Sequence, residues 1–62
     1  MTAVIKIKMD NDAFKENGKQ ELARILKDLA DFCEYCLNLE AVGGLRTILD
    51  INGNSCGTFA LK

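Results

Sequence analysis

Histidine is missing from all 62 residues, and with it the imidazole that most acid–base and nucleophilic sites use to move a proton near neutral pH. Only three cysteines are present, one short of an all-thiolate tetrahedral zinc centre. No run of about 18 apolar residues offers a membrane span. The opening "MTAVIKIKMDNDAF" interrupts its apolar run with Lys6 and Lys8, whereas a secretory signal needs at least about seven uninterrupted apolar positions. Neither sign of charge is in excess, since eight Lys or Arg against nine Asp or Glu give a net charge of −1. Up to Asp31 the signs balance at six each, and two positive and three negative residues follow. A protein that tracks phosphates concentrates cations on one face, so this balance argues against that role. These absences lead us to expect a cytoplasmic, non-catalytic protein without cofactor or resident metal.

What is present suits one small βαββ domain over residues 1–62, since 48% apolar and 27% charged residues are ordinary globular proportions. A chain this short buries only about 60% of its unfolded surface. A second chain is the expected supplement, and we read the protein as a homodimer.

"AVIKIKM" alternates with period two: Ala3, Ile5, Ile7 and Met9 share one face, Val4, Lys6 and Lys8 the other. This is a strand with one buried face. "DNDAFKENG" breaks the pattern, and Phe14 is expected to fold back over one end of the core. Asn17 and Gln20 have the spacing of a capping box, so a helix starts there. Leu22, Ile25, Leu26, Leu29, Cys33, Cys36 and Leu37 form its apolar stripe. Arg24, Lys27, Asp28, Asp31, Glu34 and Asn38 lie opposite, and "AVGG" after Leu39 closes the helix.

"LRTILDI" and "SCGTFAL" flank "NGN" and form a terminal hairpin. A calcium loop starting at Asp50 would need Gly at its sixth position and Glu at its twelfth, where Ser55 and Leu61 stand. Asn52-Gly53 suits a two-residue type I′ turn instead. Strict alternation across such a turn would split the apolar set, and a bulge at Gly57 repairs the parity and turns Cys56, Phe59 and Leu61 inward. A three-residue loop without a bulge is the alternative. The fold class is therefore α+β: strand, helix, strand, strand, with one amphipathic helix on a three-stranded sheet. A right-handed crossover runs the first two strands parallel. The uncharged last strand belongs in the middle, because charges guard edges.

"CEYC" has the spacing of redox and zinc pairs, with Cys56 as a third thiol. Redox pairs sit at helix N-termini, where the dipole favours thiolate. This pair comes late in a helix on its apolar stripe, so we expect buried packing thiols. Asp10, Asp12 and Glu16 read as turn residues rather than as an acid–base or metal pair. Lys6 and Lys8 could meet phosphate or an acidic protein, but a solvated edge is the favoured reading because no aromatic residue interleaves them. Phe32, Tyr35 and Leu39 on the helix flank, beside Asp28 and Asp31, are the residues expected to touch a partner.

"MDNDAF", "ELARIL", "LADF" and "DINGN", taken together from Ile5 to Phe59, resemble a group of short phage and prophage proteins. The resemblance implies a mobile-element origin and carries no activity with it. Gly18 and "NLEAVGGLRT" depart from that pattern around the helix ends. A small protein that binds and modulates a host protein, for instance as an anti-CRISPR-like inhibitor of bacterial defence, is the first hypothesis. Two alternatives from other classes are a nucleic-acid accessory factor in phage replication or recombination using Lys6 and Lys8, and a metal or redox module using Cys33, Cys36 and Cys56.

Overall fold

The computed structural model describes residues 1–36 and 45–62. Strand β1 (Ala3–Ile7) is followed by a single 3-10 turn (Asp12–Phe14), helix α1 (Gly18–Tyr35), strand β2 (Leu45–Leu49) and strand β3 (Ser55–Leu61). The sheet order is β1-β3-β2, with β3 antiparallel to both neighbours. The uncharged last strand is thus central, and β1 and β2 run in the same direction on either side of it.

The core is assembled from alternate positions of the strands and one stripe of the helix. Ile25 and Leu29 from α1 meet Ile48, Cys56, Phe59 and Leu61 from the sheet. Phe14 closes one end of this cluster from the 3-10 turn, as the isolated apolar residue in "DNDAFKENG" suggests.

The hairpin reaches its register by two devices together. Gly53 N–H donates to the Asp50 carbonyl at 3.0 Å, and Asp50 N–H to the Asn54 carbonyl at 2.8 Å. The connection is therefore a three-residue loop, 51–53, and only Gly53 takes a positive φ, +84°. A type I′ turn would need Asn52 there as well, so the expected two-residue turn is corrected. A bulge is present too: Leu49 pairs with Ser55 and Ile48 with Gly57, which leaves Cys56 as the extra residue. Its side chain turns into the core with Phe59 and Leu61. Gly57 is required by close approach, because a Cβ there would run into the Lys6 carbonyl oxygen.

Three expectations about the helix need revision. Asn17 precedes it but makes no side-chain cap bond; only its carbonyl is used, accepting from Glu21 N–H at 3.0 Å. The helix ends at Tyr35 rather than near Leu39, with Cys36 N–H closing on the Phe32 carbonyl at 2.9 Å. "AVGG" and Leu39 lie outside the described residues. Finally, Cys33 and Cys36 are exposed, and only Cys56 is buried.

Candidate functional site

The most ordered polar feature joins the hairpin turn to the first turns of α1. The Asp50 side chain reaches back into its own loop, where Oδ1 accepts from the N–H groups of Asn52 and Asn54, both at 2.9 Å. Its Oδ2 accepts from Asn11 Nδ2 at 2.9 Å. Glu21 lies alongside, with Oε1 2.7 Å from Arg24 Nε and Oε2 accepting from Ile51 N–H at 2.8 Å. Arg24 Nη1 continues to Asp28 at 2.9 Å. Both carboxylates are buried, at 6% exposure for Glu21 and 4% for Asp50, and no described buried side-chain polar atom lacks a partner.

This cluster ties elements together and has no proton to exchange. Hydrogen bonding from Asn54 N–H, with Asn11, Asn52 and the Arg24 charge assisting against burial, holds the Asp50 carboxyl below its ordinary value. The Arg24 hydrogen bond and the Ile51 N–H do the same for Glu21. Ionised acceptors with such donors are neither bases near neutral pH nor open cation ligands. Sequence reasoning found the Asp50 turn but missed Glu21 and Asn11, whose partners stand 30 and 39 positions away. The carboxylates at the end of β1 play no part in it, and Asp12 simply pairs with Lys15 at 2.8 Å in solvent.

A different kind of surface lies on the other side of the helix. A groove of about 270 Å³ lined by Arg24, Asp28, Arg46 and Asp50 sets that side of α1 over β2. At about 100° per residue, Leu26, Ala30 and Cys33 fall on the opposite flank, toward β1. There the sheet is only partly covered: Ile5, Met9 and Leu26 are each 44% exposed, although the sequence pattern marks all three as core. Cys33 is exposed on the same flank. Of the described apolar stripe, the β1 side, Leu26 and Cys33, is left open; Leu37 lies outside the described residues.

The expected partner residues divide between surfaces. Lys6 and Lys8, on the other face of β1, line a shallow groove of about 450 Å³ with Asp10, Ser55 and Thr58. Asp28, Asp31 and Tyr35 share the outward face of α1, with Tyr35 77% exposed. Phe32 is not free beside them: it meets Phe59 edge-on at 6.2 Å, and the Arg46 guanidinium lies 4.0 Å above its ring. Cys56 stays within the core, where burial pushes its thiol pKa up. Among the described residues, no three His, Cys, Asp or Glu side chains are grouped to hold a metal ion, and no helix is long and apolar enough to cross a membrane. No family model, curated protein or solved structure matches the chain.

Proposed function

We propose that this chain is a small non-catalytic protein of the phage type that works as a homodimer and modulates a host protein by binding it, with bacterial defence factors as the first targets to examine. The observation that carries the reading is the open flank between α1 and β1, where Ile5, Met9 and Leu26 stand in solvent at positions patterned as core. Apolar side chains left in one uncovered strip favour a protein partner, and their burial contributes about 25 cal/mol per Å² to a complex. The mobile-element origin rests on "MDNDAF", "ELARIL" and "DINGN". Capture from a bacterial lysate on the immobilised chain is expected to recover one stoichiometric partner. Leu26→Lys should release it without lowering the unfolding temperature, and retention by a folded Leu26→Lys chain would sink the assignment of this flank.

A second reading is favoured by one observation, the solvent exposure of Cys33 and Cys36 at zinc-type spacing. Both thiols are open to solvent and reagents, so burial does not keep them inert. Among the described residues only this pair stands at the helix end, so a closed tetrahedral site would need two further ligands. Elemental analysis of protein purified without chelator tests it; stoichiometric zinc lost from Cys33→Ser would replace the first reading. The nucleic-acid alternative has Lys6 and Lys8 in one groove, but Asp10 lines the same groove and opposes a phosphate.

A further inference from the structure

The outer edge of β2 has a symmetry that the sheet itself does not use. Thr2 and Lys62 exchange both backbone hydrogen bonds, at 2.6 and 2.9 Å. Antiparallel pairs alternate between bonded and non-bonded, so the polar groups of Thr58 and Ala60 point to β1 and those of Gly57 and Phe59 point to β2. In β2 their partners Ile48 and Arg46 face inward. The N–H and C=O groups of Leu45, Thr47 and Leu49 therefore face away from the sheet, and among the described residues no strand pairs with them. The inward bond from Asp50 to Asn54 agrees with this alternation.

Leu-Thr-Leu reads the same in both directions. Set antiparallel against a second β2 about Thr47, each Leu45 meets the other copy's Leu49, and Thr47 meets itself. Side chains directly opposite across a ladder interact, and both leucines need cover, at 72% and 52% exposure. No like charges oppose one another: Arg46 is the one charged residue of β2, it falls opposite Ile48, and its guanidinium lies over Phe32. The other edge differs, since β1 carries Lys6 and is followed by Lys8, charges of the kind that keep edges apart.

We infer that β2 pairs with β2 of a second copy about Thr47, joining two sheets into one of six strands. The inference rests on the dimeric state proposed above and names its surface and register. Five residues at about 3.4 Å each, on an edge about 10 Å thick, give a contact of about 170 Å² per partner, well below the roughly 800 Å² of a standard interface. The dimer is accordingly weak and reversible, populated at high protein concentration.

Sedimentation equilibrium and a dilution series of amide NMR spectra on the full chain test this. The expected result is a monomer–dimer equilibrium in which the Leu45, Thr47 and Leu49 amides shift most with concentration. Thr47→Pro should abolish association while leaving the fold intact, because the lost N–H faces outward and makes no bond to β3. Leu45→Lys/Leu49→Lys provides the same test without touching the backbone. A chain that stays monomeric throughout overturns both the dimer and its interface. A dimer that survives in folded Thr47→Pro or in the lysine pair overturns this interface alone.

Discussion

At the hairpin end of the molecule Glu21 and Asp50 are buried with their donors in place, whereas at the far end of α1 two thiols and Tyr35 stand in solvent. The first end is polar and closed; the second includes core-patterned residues and is open. A chain with a core this small therefore takes part of its order from a hydrogen-bonded cluster, while apolar side chains stay uncovered at both ends, Met9 and Ile51 beside the cluster and Tyr35 away from it.

The sharpest way to break the comparison is Gly57→Ala, because the new Cβ meets the Lys6 carbonyl oxygen and backbone must move at the bulge. The expected loss is about 3 kcal/mol, at the upper end for overpacked sites, read as the midpoint of urea unfolding. Next comes Asp50→Ala, which removes the acceptor for Asn11, Asn52 and Asn54 together. Its unfolding temperature should fall by about 10 °C, a large shift for a domain of this size.

The same carboxylates set the acid response. Both have folded-state pKa values below their ordinary ones, so their contribution is complete above the unfolded-state values near pH 4 and disappears as the pH falls through the lower, folded-state ones. Thermal melts from pH 7 to pH 2 should show stability dropping on the acid side of about pH 4, and Asp50→Asn should flatten that slope. An unchanged slope would mean that the cluster does not hold the hairpin end.

Smaller effects belong to the far half of α1 and the strand beneath it. Arg46→Ala removes one cation–π contact with Phe32 and should cost about 0.5–1 kcal/mol. Cys33→Ser and Cys36→Ser should change stability by less than about 0.5 kcal/mol, as exposed substitutions do. In the native protein a thiol reagent should label Cys33 and Cys36 quickly and Cys56 only on unfolding. Slow labelling of all three would close the end described here as open.

Charge and periodicity made much of the fold readable. Lys6, Lys8, Arg46 and Asp50 left "SCGTFAL" as the only strand without charge, and it lies between the other two. Parity called for one extra residue in that strand, found at Cys56 beside Gly57; it turns Cys56 inward with Phe59 and Leu61, but Leu49 and Ile51, expected to join them, stay exposed. The fate of Cys33 was not readable in this way, because helical spacing gives the angle of a stripe and not where the helix rests across a sheet. Had α1 leaned toward β1, Cys33 and Leu26 would be covered and the Arg46 side would be open. Glu21 was equally hidden: its partner in the hairpin is the N–H of Ile51, a group every residue but proline carries, so no side-chain pattern announces it.

The central place of β3 also fixes an order of events during translation. Among the described residues both outer strands bond only to β3, which is made after them, so β1 leaves the ribosome before its partner strand exists. Lys6 and Lys8 in the nascent segment would keep neighbouring unfinished chains from joining along it.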